Sequence, residues 1–218
     1  MRCVGNEYVT GLHLRPADEI LRESEAFFLR RGAVHAALRR LTRTLDAESI
    51  AYAIIGGMAL NLYGYTRETI DVDILLTPPG LDTFRERLVG RGYVPAFPGA
   101  TRSFRDAETQ VPIEIITAGE YPGDGKPKAV AFPDPATTSL DRDGYRVIAL
   151  EKLIELKLAS GLSAPHRQLI DLADVQRLIE TLDLPRELSE HLDPSVRAEF
   201  ERLWELARHA HQGPTDPA

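Results

Sequence analysis

A single cysteine, Cys3, stands in the 218-residue chain, so no internal disulfide can form, and no Cys/His cluster has the spacing of a structural zinc site. Redox and zinc chemistry are not expected. No run of about 18 apolar residues occurs, and Met1 to Leu14 lack the apolar stretch of a signal peptide. The expectation is therefore a cytoplasmic protein without a membrane partner. Internal repeats and low-complexity tracts are missing as well. Lysine is scarce: Lys126, Lys128, Lys152 and Lys157 are the whole set, and every other basic residue is arginine. With 43% hydrophobic and 27% charged residues the composition is that of a folded globular chain.

The net charge is −7, and the acidic excess lies in the second half. Residues 1–110 hold 14 basic and 14 acidic side chains, whereas residues 111–218 hold 12 and 19. A surface that tracks nucleic-acid phosphates over a long stretch needs the opposite balance. Arg30, Arg31, Arg39, Arg40 and Arg43 do cluster in one helical stretch, which reads either as a local basic patch or as a solvated helix face.

Hydrophobic period divides the chain. Ile20, Leu21, Phe27, Phe28, Val34, Leu38 and Leu41 recur at helical spacing between Pro16 and Leu45, with a break near Gly32. Ile50 to Ile55 is a β-branched run that ends in Gly56-Gly57, and Met58 to Tyr63 then reads as a short helix stopped by Gly64. Thr69 to Leu76 reads as a second strand, with Ile70, Val72 and Ile74 on one face and Asp71 and Asp73 on the other. Pro78-Pro79-Gly80 ends it. Leu81 to Gly90 follows as a helix, Ser103 to Asp106 and Val111 to Thr117 as paired strands, Tyr121 to Pro135 as a loop, and Tyr145 to Ile148 as a last strand. From Leu150 the pattern is helical: Leu150 to Leu158, Pro165 to Leu182 and Pro194 to His209, before a tail from Gln212. The fold class is α+β: a mixed-sheet core over residues 33–150, an N-terminal helical segment over 1–32, and a helical C-terminal subdomain over 151–218.

Carboxylates at i and i+2 of a strand project from one face, roughly 7 Å apart at the backbone, a spacing that suits a pair of hard cations such as Mg²⁺. Asp71 and Asp73 have that spacing. Glu114, an acid between Ile113 and Ile115, is the candidate third ligand, because a buried strand would ordinarily carry an apolar residue there. Gly56 and Gly57 permit close approach of backbone N–H groups to phosphate oxygens. The other reading of the same features is a packing turn followed by solvated edge acids. Arg67 and Thr69 either contact a triphosphate or orient the acids, or Arg67 pairs with Glu68 or Asp71. The histidines, His166 included, show no spacing that marks a general base.

Ile54-Ile55-Gly56-Gly57-Met58-Ala59-Leu60, followed by Arg67-Glu68-Thr69-Ile70-Asp71-Val72-Asp73-Ile74-Leu75, resembles the signature of the DNA-polymerase-β-like nucleotidyltransferase superfamily. More narrowly it resembles the AbiEii/AbiGii-type toxin nucleotidyltransferases, with their MenT-like branch. The likeness continues through Val111-Pro112-Ile113-Glu114, Gly119 to Pro127, Leu150 to Ala159 and Asp171-Leu172-Ala173-Asp174. The resemblance implies two Mg²⁺ ions on Asp71, Asp73 and Glu114, a triphosphate against Gly56-Gly57 and Lys157, and a place for Asp171 in the helical part of the site. By periodicity alone Lys157 reads as an exposed partner of Glu151 or Glu155, and Asp171 as the partner of Arg167 four residues before it. Two departures stand out: the glycine turn lacks the serine of many superfamily members, and Glu114 replaces a frequent aspartate.

The implied reaction moves an NMP from an NTP to a hydroxyl acceptor with loss of pyrophosphate. The acceptor would be a tRNA 3′ end, a protein or a small molecule, and the chain would be the toxin of a toxin–antitoxin pair with an antitoxin partner. The alternative is a non-catalytic nucleotide-binding module with the same fold.

Overall fold

The computed structural model describes residues 17–28 and 31–211. Cys3, Arg30, the tail from Gln212 and the side chains of Ile20, Leu21 and Phe28 lie outside the described residues. Helices α1 (Ala17–Phe28) and α2 (Ala33–Ala47) are separated at Arg31-Gly32, where both amides donate to the Ala26 carbonyl. The break falls where the apolar period breaks. Helix α2 turns Ala37, Leu38, Leu41 and Leu45 inward at helical spacing.

Strand β1 (Tyr52–Ile54) is paired on both edges and buried along its whole length, so both of its faces are covered. It runs into α3 (Gly56–Leu62), and β2 (Val72–Leu76) returns antiparallel to it with Ile54 opposite Ile74. Strand β2 begins at Val72 and not at Thr69, so Asp71 stands one residue before it and Ile70 is 75% exposed rather than inward-facing. The approach to the strand is held by a side chain. The Asn61 side chain takes both backbone polar groups of Arg67, which removes them from any strand ladder.

Helix α4 (Pro78–Arg87) starts three residues before the expected Leu81. Thr77 caps it by accepting from the Gly80 amide, and proline in the first turn gives up only an N–H that has no intrahelical partner. Strands β3 (Tyr93–Pro95), β4 (Ser103–Asp106) and β5 (Pro112–Thr117) form an antiparallel meander, and β5 pairs in parallel with β2, placing Glu114 beside Asp73. After the loop come the four-residue helix α5 (Pro135–Thr138) and the hairpin β6 (Ser139–Arg142) and β7 (Tyr145–Ile148). Strand β7 lies parallel to β1, which completes a mixed sheet of seven strands in the order β3-β4-β5-β2-β1-β7-β6. Sequence periodicity missed β3, α5 and β6, whose short and largely exposed stretches show no alternation.

Helix α6 (Leu150–Ser163) runs five residues beyond the expected Leu158 and is buried nearly all round from Leu153 to Gly161. Gly161 admits the Leu172 side chain of α7 (Pro165–Leu182): a Cβ there would sit 2.9 Å from Leu172 Cδ2. A 3₁₀ turn (Arg186–His191) leads to α8 (Pro194–His211). Buried Glu155 joins these pieces, accepting from Lys152 and from the Asp193 amide. One apolar cluster runs from α2 through the sheet into α6, α7 and α8.

The arginine cluster on α2 is partly consumed inside the fold. Arg40 donates to both carboxylate oxygens of Asp106 at 2.6 Å and pairs with Glu108. Asp106 is fully buried and also accepts from the Thr109 amide and hydroxyl. Burial pushes its carboxyl up, but the bonds from Thr109 and Arg40 outweigh this and hold it below the usual aspartate range. A depressed folded pKa means stability present above the unfolded value of about 3.9 and lost as pH falls through the lower folded value. Arg40→Ala should therefore lower unfolding free energy by about 2 kcal/mol at pH 7. Denaturant titrations should show that deficit shrinking below about pH 4.

Candidate active site

Antiparallel return of β2 along β1 sets the Ile55-Gly56 turn against Asp73, and the Ile55 amide donates to the Asp73 carbonyl at 3.1 Å. Gly56 has φ +62°, and a Cβ on it would overlap the Asp73 carboxylate. Glycine is thus required twice here, for backbone conformation and for space. At Gly57 a Cβ would lie 2.9 Å from both Cβ and Oγ1 of Thr69. The bare backbone makes room for that hydroxyl, which donates to Asp71 Oδ1 at 2.6 Å.

Asp71, Asp73 and Glu114 line one wall of a cleft of about 470 Å³, and Lys157, His166, Arg167 and Asp171 line another. Ile116, Phe132, Leu153 and Leu156 close it with apolar surface. The cleft thus brings together most of the residues that the sequence singled out. Among the described residues no hydrogen-bond donor reaches the Asp73 carboxylate, and its carboxyl is pushed up to about 6. Burial is the main cause, the Asp71 charge adds to it, and Lys157 and Arg167 oppose it. Glu114 is half-buried beside Asp73, and its Oε2 accepts from Ser103 Oγ at 2.7 Å. Among the described residues no three His, Cys, Asp or Glu side chains close into a metal cage. The three acids share a cleft without forming a three-carboxylate cluster.

Lys157 is not an exposed partner of Glu151 or Glu155. It is 6% exposed, and its ammonium donates to Asp174 Oδ2 at 2.7 Å and Asp171 Oδ1 at 3.1 Å. Asp171 is buried and also accepts twice from Arg167. Burial raises its carboxyl, but Lys157, Ser160 and Arg167 bring it below the ordinary range. Arg67 pairs with neither Glu68 nor Asp71; it reaches Asp174 Oδ2 at 2.7 Å, the same oxygen that Lys157 holds. His166, which the sequence left aside, also faces the cleft, at an exposed position in the first turn of α7.

Asn61 escaped the sequence reading. Its signal was an amide side chain between Leu60 and Leu62 inside a helix, four residues after Gly57. Its Nδ2 donates to the carbonyls of Gly57 at 2.9 Å and Arg67 at 2.7 Å, and its Oδ1 accepts from the Arg67 amide at 3.1 Å.

No protein-family profile and no curated protein matches the sequence. Solved structures do. The antibiotic-resistance factor ANT(2'')-Ia is similar with a TM-score of 0.47 at 14% identity, over 81% of this chain and 96% of that one. In its complex with adenylyl-2"-tobramycin the same factor gives 0.44 and 12%, over 86% and 99%. An antigenic nucleotidyltransferase-like protein from Paracoccidioides brasiliensis gives 0.44 and 17%, over 82% and 88%. Likenesses at this level leave the functional reading to the side chains of the cleft.

Asp73 titrating near 6 when folded, against about 3.9 unfolded, destabilises the folded chain above pH 6. The penalty fades as pH falls toward 4, because the folded state then holds the proton more tightly. In chelator, Asp73→Asn should melt higher than the native protein at pH 8, by an amount corresponding to about 2–3 kcal/mol. That advantage should vanish near pH 4 in thermal scans.

Proposed function

We infer that the chain is a nucleotidyltransferase that moves an NMP from an NTP to a hydroxyl acceptor. The observation that carries this reading is the Asp71–Asp73 pair, with Asp73 against the Gly56 turn, facing Lys157 and Arg167 across one cleft. A volume near 470 Å³ is in the range of small-molecule sites, and its charges are sorted as a nucleotide requires. The triphosphate lies between the glycine turn and the Lys157–Arg167 wall, and the base takes the apolar surface of Phe132, Leu153 and Leu156.

Two hard carboxylates, one of them without a donor and raised by burial and then by its neighbour's charge, fit a divalent cation such as Mg²⁺. Mg²⁺ commonly takes one or two protein carboxylates and completes its shell with phosphate oxygens and water, so a closed cage is not needed. Asp71 and Asp73 would hold two such ions, and Glu114 is the candidate additional ligand. Bound there, the ions would offset charge on the attacking and leaving oxygens.

In the reaction the acceptor hydroxyl forms a bond to the α-phosphorus, the bridging α–β P–O bond breaks, and pyrophosphate leaves with that electron pair. Glu114, in the same cleft, takes up the hydroxyl proton. Thr69 holds Asp71 in place, and the Asp171–Asp174 pair fixes the Lys157 ammonium. The acceptor side follows the resemblance: a tRNA 3′ end, with this chain as the toxin of a toxin–antitoxin pair. Protein and small-molecule acceptors are the competing assignments. A non-catalytic nucleotide-binding module is the second reading, and the buried, tightly bonded Lys157 is the observation that favours it.

Incubation with each α-labelled NTP, Mg²⁺ and a cell extract should label one class of acceptor and release pyrophosphate. Asp71→Asn should lower the rate at least about a thousandfold, by analogy with removing one electrostatic element of a transition state. Equal labelling by that variant would refute the site, and binding without pyrophosphate release would establish the module. Growth arrest on expression that Asp73→Asn abolishes is the expected outcome of the toxin assignment. Harmless expression of an enzyme that labels its acceptor would contradict that assignment alone.

A further inference from the structure

The segment Gly64–Asp71 carries Asp71, and the Thr69 hydroxyl bonded to it, to the cleft edge without helix or strand. A carboxylate on an irregular segment is positioned only as well as that segment is held. Its hold comes from side chains. Asn61 spends all three of its bonds there, two on the amide and carbonyl of Arg67 and one on the Gly57 carbonyl of the glycine turn. The guanidinium of Arg67 then reaches Asp174 Oδ2, which also holds Lys157. Glycine turn, acid-bearing segment and helical wall are thereby joined in one chain of bonds, Gly57–Asn61–Arg67–Asp174–Lys157, which spans 107 residues of sequence at its Arg67–Asp174 link.

We propose that Asn61 is a positioning residue: its carboxamide sets the Asp71 carboxylate relative to Asp73, and Arg67 extends the same alignment to Lys157 through Asp174. Neither an acid nor an apolar side chain replaces it at position 61. A carboxylate keeps the acceptor for the Arg67 N–H but turns oxygen toward two carbonyl oxygens, and alanine removes every bond. Asn61 touches no part of the cleft wall itself, so its effect passes through Asp71 and Lys157.

The inference rests on the nucleotidyl-transfer reading for its kinetic arm and on cation binding for the other. The test compares the native protein with Asn61→Ala, Asn61→Asp and Arg67→Ala. Mn²⁺ binding is followed by electron paramagnetic resonance without nucleotide, and kcat and KM for the NTP are measured separately. Loss of a supporting hydrogen bond should weaken Mn²⁺ binding about tenfold in both Asn61 variants. The kcat should fall about a hundredfold, as expected for misplacement of a reacting group by about 1 Å, with KM for the NTP within about threefold of native. Arg67→Ala keeps the backbone clamp and should leave Mn²⁺ affinity closer to native while raising KM.

A variant with native Mn²⁺ affinity and native kcat but a lower melting temperature would overturn the proposal, since Asn61 would then be structural only. If Asn61→Ala does not fold, Asn61→Asp, nearly the same shape, decides by the same readouts. Absence of turnover in the native protein with any NTP would defeat the transfer reading, and the Mn²⁺ arm would still decide the role of Asn61.

Discussion

Two carboxylates next to one another, with little water between them, repel. Asp73 feels burial first and the charge of Asp71 second, and its carboxyl rises to about 6 in consequence. Such a pair at the start of a core strand is not ordinarily found unless something opposes the repulsion. Here the opposing charges within the chain are Lys157 and Arg167, both already engaged with aspartates. The pair is thus only partly compensated by the protein, and the proposed cations supply the remainder. This unbalanced charge is the constraint around which the other parts are arranged.

Several local choices follow from it. Gly56 has no side chain because the Asp73 carboxylate occupies that space, and Gly57 has none because Thr69 does. The antiparallel β1–β2 register brings the turn to Asp73, and the parallel β2–β5 register brings Glu114. Helices α6 and α7 contribute the cationic wall, with Lys157 buried between Asp171 and Asp174. A buried ion network of this kind adds little net stability, because desolvation offsets the attraction. What it does provide is a fixed place for the ammonium.

Much of this was legible in the sequence where hydrophobic period was strong. The separation of α1 from α2, the strand before Gly56 and the span of α7 follow the apolar spacing. So does the pairing of β4 with β5, and Asp71, Asp73 and Glu114 stand out by their spacing and by their apolar neighbours. Less was legible where side chains, not periodicity, decide the backbone. The strand expected from Thr69 begins at Val72, after a segment that Asn61 holds at Arg67, and α4 begins early because Thr77 caps it. Lys157 looked exposed on a helix wheel because the partner carboxylates come from a later helix. Arg67 finds Asp174 across the same kind of distance. Such ion pairs have no short-range signature.

The central claim is that Asp71 and Asp73 hold the cation that carries a nucleoside triphosphate. The most direct measurement is anomalous diffraction from crystals grown with Mn²⁺ and a non-hydrolysable NTP. The account predicts manganese on both aspartates, with the triphosphate between Gly56 and Lys157. Nucleotide bound elsewhere, or bound in this cleft with no metal on either aspartate, would contradict it.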